Sequence, residues 1–425
     1  MKTDRRVLAW YLYDFGMAAF TMVIVTAFYV VYFKHVVVGE GAKGGRGDLL
    51  WGASISITMA LVVLLTPILG AIADFAGKKR LFFILFAGLS IASTAALTFV
   101  GPGAVVAGMA LFITGYLGET AAQPFYNGFL MELAPRKDWP RLSATGWGLG
   151  YIGAIAALLM ILPFAKGAML PGGQRDADTI LIMTAAFYLV FALPSFFLLR
   201  DRPVPAHGGG GAGWYAVEGI RRLRQTVRTA RSNRELWKFF VAYFLYNDAI
   251  TTVITFFTVY ARDTLGFSMS ENVFLLMAVQ VTAALGAFAS APLCRMIGIK
   301  RTIAITLMIW IAAELGAFFA ESKEAFWVVA VVGGTVLGGT QAASRAFVAE
   351  LAPEEKKTEI FGLLAVCGKF AAVIGPLLFG VISVLTGSQR LAILSVELFF
   401  LGGLAVLLTV REGSAAVPQP PGASR

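Results

Sequence analysis

Charge and reactive side chains are scarce in this 425-residue chain. Only 14% of residues are charged, against roughly a quarter in an ordinary soluble domain, while 58% are hydrophobic. Mean hydropathy is +0.76. That composition excludes a soluble globular enzyme, because too little polar surface is available to meet water. Cysteine occurs twice, as Cys294 and Cys367, so a disulfide framework is excluded. Histidine also occurs twice, as His35 and His207, far apart and in predicted loops. No metal cluster, Ser/His/Asp arrangement or Cys/His arrangement can be assembled from them. No P-loop is present, which leaves ATP without an evident role. The Gly148–Gly150–Gly153 pattern is not a dinucleotide loop, since no strand precedes it; no cofactor is expected.

What is present in quantity is long apolar runs. Twelve runs of bilayer-spanning length recur at about 7–33, 50–72, 81–100, 104–131, 142–164, 179–199, 236–260, 272–293, 302–320, 325–349, 359–385 and 391–410. A membrane β-barrel would need segments of about ten residues with alternating polarity, which these are not. The expected fold is an all-α membrane protein of twelve transmembrane helices. The first run lacks a small-residue cleavage site and is expected to remain as a helix.

Basic residues set the expected orientation. With the N-terminus inside, 25 of the 35 Lys and Arg fall in segments on that side, including Lys2, Arg5, Arg6, the Lys78–Arg80 cluster and nine residues between Arg200 and Lys238. The positive-inside rule therefore places both termini in the cytoplasm, with a bacterial inner membrane as the expected location. The net charge of +10 is largely this signal, and lipid head groups account for it without nucleic acid. After the Gly-rich HGGGGAG, Arg221, Arg222, Arg224, Arg228 and Arg231 lie on what reads as an amphipathic helix facing lipid.

The chain repeats internally. YLYDFG (11–16) in the first run answers FLYNDA (244–249) in the seventh, setting Asp14 against Asp248. QPFYNGFLMELAP (123–135) matches QAASRAFVAELAP (341–353), and AGKKR (76–80) resembles IGIKR (297–301). The expected organisation is a six-helix bundle over 1–199, a linker over 200–235, a second bundle over 236–411 and a disordered tail over 412–425. Two parallel halves imply a pseudo-two-fold axis along the membrane normal and a site at their interface.

GAIADFAGKKR (70–80) resembles the G-x-x-x-D-x-x-G-[RK]-[RK]-[RK] signature of the major facilitator superfamily at Gly70, Asp74, Gly77, Lys78, Lys79 and Arg80. With the twelve runs and the repeat, the resemblance covers nearly the whole chain. More narrowly, LYDFGMAAF, YNGFLMELAP, GWGLGYIGA, FLYND and GGTQAASRAFVAELAP look like the bacterial relatives of the autophagy-related vacuolar amino-acid effluxers. Gly16 and Met17 depart from the small polar pair that this branch would place after the aspartate. The resemblance implies alternating access, with the first, fourth and seventh helices lining a central cavity.

An ionisable side chain near the bilayer centre costs several kcal/mol, so it normally faces a cavity or a partner. Asp248, Thr251, Thr255 and Thr258 share one helix face, and Asp14 and Thr21 form a sparser stripe. Asp14 and Asp248 are candidates for binding a proton, Na⁺ or a substrate ammonium; Thr251 and Thr255 are candidate substrate contacts. Asp14 alternatively sits at the head groups, about 12 Å of helix rise beyond Arg6. Glu119, Gln123 and Asn127 form a polar edge that binds substrate or proton, or else Glu119 hydrogen-bonds Trp147 or Tyr151. Those two aromatics could instead stack on a substrate. Gln341, Arg345 and Lys369 supply the second half's polar and cationic groups. Lys369 either binds a substrate carboxylate or pairs with a carboxylate of the first half. Asp74, Lys78, Lys79 and Arg80 read as a cytoplasmic gate, with Glu350 near Arg345 a further gate group. Glu314 and Glu397 are expected at the periphery.

The function these features favour is a proton-coupled secondary transporter, acting as a monomer on a small polar organic solute such as an amino acid or short peptide. A sugar–cation symporter is the alternative within transport. A non-transporting membrane receptor or scaffold is the alternative outside it.

Overall fold

The computed structural model describes residues 5–41, 44–75, 79–135, 138–170, 172–201, 212–353 and 356–411. Among these the chain is all-helical, with twelve helices long and apolar enough to cross a membrane. The first six spans are α1 (Arg5–Val37), α2 (Arg46–Phe75), α3 (Lys79–Ala96), α4 (Val105–Leu133), α5 (Trp139–Ala165) and α6 (Gln174–Leu198). A linker helix, α7 (Ala212–Ser232), follows. The second half comprises α8 (Arg234–Leu265), α9 (Met269–Ile297), α10 (Ile299–Phe319) and α11 (Lys323–Leu351). Its eleventh span is built from α12 (Lys357–Ala371) and α13 (Gly375–Thr386), and α14 (Gln389–Thr409) completes the bundle.

Polar residues punctuate the apolar runs. Ser268, Ser322 and Ser388 cap the N-termini of α9, α11 and α14, and Ser268 forms a capping box with Glu271. Gly266 and Gly387 end α8 and α13 in the left-handed conformation. Large apolar side chains such as Leu64, Leu285, Phe288 and Leu398 are exposed, which suits a surface solvated by hydrocarbon. On α7, Arg221, Arg224, Arg228 and Arg231 face outward while Thr226 and Ala230 are buried, so the helix is amphipathic.

Helices approach closely where glycine removes the side chain. In α11, a Cβ at Gly338 would stand 1.9 Å from the Ala283 carbonyl oxygen of α9. Gly153 brings α5 similarly close to the backbone of α1 at Phe15. Gly16 has a packing role too: a Cβ there would stand 2.7 Å from that of Phe191 in α6.

Two spans depart from the simple runs. The first continues past residue 33 to Val37 and carries π-helical turns at Phe20–Ala27 and Phe33–Val37. The eleventh is not continuous. Ala372 and Val373 close 3₁₀-like turns onto Lys369 and Phe370, and the helix restarts at Gly375 with Pro376, which has no N–H to carry the ladder through.

The halves meet chiefly along α2 with α13 and α5 with α9. At the α2–α13 seam backbone lies on backbone. A Cβ at Gly52 would stand 2.2 Å from the Pro376 carbonyl oxygen, and one at Gly380 2.6 Å from the Leu49 Cα. A side chain at either position is incompatible with this seam. Gly52→Val is therefore expected to leave each bundle folded but to separate the ends of α2 and α13. Spin labels on those two ends should report a longer mean distance, and an unchanged distance distribution would show that the seam does not depend on the glycine.

Candidate functional site

A cavity of 330 Å³ lies at the half interface. Asp14 and Thr21 of α1, Glu119, Gln123 and Asn127 of α4, and Trp147 and Tyr151 of α5 line it, with Gln280 of α9 from the other half. The polar edge read from the spacing of α4 thus comes together with Asp14 and both aromatics. Asp14 borders this cavity, and its carboxylate lies against the α5 backbone, where a Cβ at Gly146 would stand 2.5 Å from Oδ2. The Tyr126 hydroxyl, which also borders the cavity, donates to the Trp10 carbonyl at 2.8 Å.

Glu119 is 3% exposed, and both of its oxygens accept hydrogen bonds: Oε1 from Gln123 Nε2 at 2.7 Å and Oε2 from Thr120 Oγ1 at 2.9 Å. Its partners are therefore on its own helix, in place of the expected bond to Trp147 or Tyr151. Lys369 reaches across from α12, with Nζ 3.5 Å from the Thr120 carbonyl oxygen. Its ammonium and the Glu119 carboxylate act on each other electrostatically across the interface. The Arg345 guanidinium stands 4.7 Å over the Trp147 ring, joining the halves at the end nearer the linker helix.

Other expected contacts are turned away. Gln341 donates to Asn247 Oδ1 at 2.9 Å, and Asn247 in turn donates to the Gly368 carbonyl, a network inside the second half. Thr251 and Thr255 donate to carbonyls one turn back on α8. Asp248, the repeat partner of Asp14, is fully buried beside the break in the eleventh span. Lys79 pairs with Glu132, and Arg80 donates to the Phe196 carbonyl, so these two basic groups are engaged within the first half and not across the interface. Lys78, the Asp74 side chain and the 412–425 tail lie outside the described residues. Glu350 is exposed on α11. Glu314 of α10 and Glu397 of α14 are 5% and 6% exposed, and neither lines the central cavity.

The opposite end of the interface, far from the linker helix, is closed by a cluster that the sequence reading missed. Lys34 Nζ of α1 lies 2.8 Å from Asp48 Oδ1 of α2 and 2.7 Å from Asp263 Oδ2 of α8, with all three side chains 1% exposed. His35 Nε2 is 2.7 Å from Asp263 Oδ1. Ser383 of α13 and Gln389 of α14 donate to Asp48 Oδ2 at 2.7 and 2.9 Å. Five spans from both halves are thereby tied at one point. Thr258 of α8 adds a further bond to the Thr26 carbonyl of α1. One lysine and two aspartates sum to −1. The signal in the sequence is opposite charges just beyond the ends of the first, second and seventh runs: Lys34, Asp48 and Asp263.

The sequence model of the family described as "Vacuole effluxer Atg22 like" matches residues 52–140 and 134–418. The chain belongs to this family. It is 30% identical over 414 residues to the MFS-type transporter YxiO of Bacillus subtilis (strain 168), covering 95% of this chain and 94% of that protein. It is 26% identical over 276 residues to autophagy-related protein 22 of Coccidioides immitis (strain RS), covering 59% of this chain and 45% of the fungal protein. Among solved structures, the nucleoside transporter NupG superposes with a TM-score of 0.71 at 13% identity, covering 96% of this chain and 99% of that one. A bacterial homolog to the human lysosomal transporter Spinster also gives 0.71, at 14% identity, covering 95% of each chain. These likenesses establish the major facilitator fold: two pseudo-symmetric six-helix bundles in an integral membrane transporter.

The far-end cluster makes a quantitative prediction. Lys34→Met leaves two buried carboxylates uncompensated, which should cost about 3–5 kcal/mol of the closed arrangement. Adding Asp48→Asn and Asp263→Asn removes the orphaned charges and should recover most of that loss in thermal unfolding. A single variant as stable as the triple one would show that Lys34 is not neutralising the two aspartates.

Proposed function

We propose that this family member is a proton-coupled secondary transporter of a small organic solute carrying both an ammonium and a carboxylate, the chemistry of an amino acid or short peptide. The observation that carries the reading is the placement of opposite charges at the half interface: Glu119 beside Asp14 on the cavity wall, and Lys369 directed from the other half to the carbonyl of the neighbouring Thr120. Both oxygens of Glu119 accept hydrogen bonds, from Gln123 and Thr120, which fixes the orientation of the group on its wall. A zwitterion can insert between this pair, its ammonium at Glu119 and its carboxylate at Lys369, replacing one cross-interface attraction with two. Gln123, Asn127 and Gln280 supply further polar contacts, and Trp147 and Tyr151 the aromatic ones.

Asp14 has fewer donors about it and is assigned the coupling proton. Alternating access follows from the two ends of the interface. The far end is held by Lys34, Asp48 and Asp263, and the linker end by the Arg345–Trp147 contact. Opening one and closing the other exposes the cavity to the two sides in turn. The basic linker side is taken as cytoplasmic, in a bacterial inner membrane, with the monomer as the transporting unit.

Flux into proteoliposomes tests each role. Asp14→Asn is expected to abolish accumulation driven by a pH gradient while retaining substrate exchange; preserved accumulation removes Asp14 from coupling. Glu119→Gln and Lys369→Ala are each expected to raise KM about 10- to 100-fold, the consequence of losing a charge-assisted hydrogen bond of about 1.5–3 kcal/mol. Accumulation that follows a Na⁺ gradient in place of the pH gradient would overturn the assignment of the ion.

A further inference from the structure

Asp248 lies where the eleventh span breaks, and the break gives its carboxylate unusual surroundings. The restarted helix α13 begins with N–H groups that have no partner in the preceding turn, at the positive end of its dipole. Asp248 Oδ1 accepts the first of them, from Gly375, at 2.9 Å. Oδ2 is equally buried and has no hydrogen-bond partner, and the residue is 0% exposed. The nearby Thr252 hydroxyl donates to the Asp248 carbonyl, so it does not serve Oδ2. Glycine at 375 is what permits this approach: a Cβ there would stand 2.1 Å from Thr252 Oγ1 and 2.9 Å from Asp248 Oδ1.

As an anion this group is incomplete, with one oxygen sealed away from every donor. Among the described residues no charged side chain completes it. On the neighbouring elements, Lys369 of α12 is directed to Thr120, Arg345 of α11 lies over Trp147, and Glu397 of α14 lies against Glu314. Cys367 of α12 contacts the Phe240 carbonyl, and Lys34, His35 and Asp48 belong to the far-end cluster. On α8 itself Tyr246 is bonded to Ser344, while Tyr243 packs near Gly368. Glu271 and Arg295 occupy the first and last turns of α9, away from the break.

We propose that Asp248 is a proton-binding site separate from the central cavity, occupied while α2 lies on α13 and exchanging when the two part. A proton is the one ligand that completes Oδ2 without needing a coordination shell that the site lacks. The covering element is identified by the seam: Gly52 of α2 is pressed on the Pro376 carbonyl, in the same first turn of α13 whose leading N–H binds Asp248. Separation of the halves at the far end, which also frees Ser383 of α13 from Asp48, uncovers that turn. The site is independent of the role given above to Asp14.

Infrared difference spectra of the full-length protein in lipid nanodiscs, recorded between acidic and alkaline buffer, read this directly. Asp248→Asn retains the acceptor for the Gly375 N–H and removes the titration. It is expected to lose one carboxylic C=O band that exchanges slowly in D₂O, whereas Asp14→Asn loses a different band that exchanges quickly. Gly52→Val, which lifts α2, should make the slow band exchange quickly. A wild-type spectrum from Asp248→Asn, or a slow band unaffected by Gly52→Val, overturns the proposal. So does a band abolished by Na⁺ at fixed pH, which would make the ligand a metal cation. Should Asp248→Asn not fold, ¹³C-labelled aspartate in wild type and in Asp248→Glu decides: the slow band is expected to shift with the label in the wild type and to ignore it in Asp248→Glu, and a band that ignores the label in the wild type, as Glu314 or Glu397 would, or still follows it in Asp248→Glu, as Asp48 or Asp263 would, refutes the assignment. Asp14→Asn without effect on uptake would remove the coupling role of Asp14 and leave this site standing.

Discussion

A lysine ammonium sealed between two aspartates holds this transporter in the arrangement described. In a low-dielectric interior a lone ammonium or carboxylate is unfavourable by several kcal/mol, so Lys34, Asp48 and Asp263 are mutually dependent: each is tolerated only where the other two are. Because they come from α1, α2 and α8, satisfying the charges requires the halves to meet at the far end. The backbone seam of Gly52, Gly380 and Pro376 is the apolar part of the same closure, and it is possible because no side chain intervenes. An ion cluster of this kind is directional, because each charge is satisfied only with all three helices in place.

The two halves are repeats in sequence, yet the interface uses them asymmetrically. Asp14 borders the cavity, while Asp248 faces inward to the N-terminus of α13. Glu119 and Gln123 present a polar edge to the cavity; Gln341, which answers Gln123, is instead drawn into the second half by Asn247. The first half thus supplies most of the wall; the second supplies Gln280, with Lys369 and Arg345 directed to Thr120 and Trp147 of the first half.

The broken eleventh span connects these regions. Its first piece carries Lys369 into the central interface; its second carries Ser383 into the far-end cluster; Gly375 between them is held by Asp248. A continuous helix would move the two contacts as one body. The break is bonded sideways to α8, so the two pieces are anchored to different neighbours.

The sequence by itself determined the spans, the repeat and the superfamily, because bilayer thickness dictates run length and a duplicated chain keeps its spacing. The Glu119–Gln123–Asn127 edge was legible for the same reason: helical periodicity is local. Partners were not legible. Whether Lys34 is a loop charge or a buried one depends on Asp263, 229 positions away in the chain. The run ending at Phe33 gave no sign that two carboxylates would let the helix continue to Val37. The pairing of Lys79 with Glu132 in place of a cross-interface contact, the withdrawal of Gln341 and the different fates of Asp14 and Asp248 likewise follow from which helices become neighbours. Only the tertiary structure decides that, because the energy of a buried polar group is set by what surrounds it and not by the residues beside it in the chain.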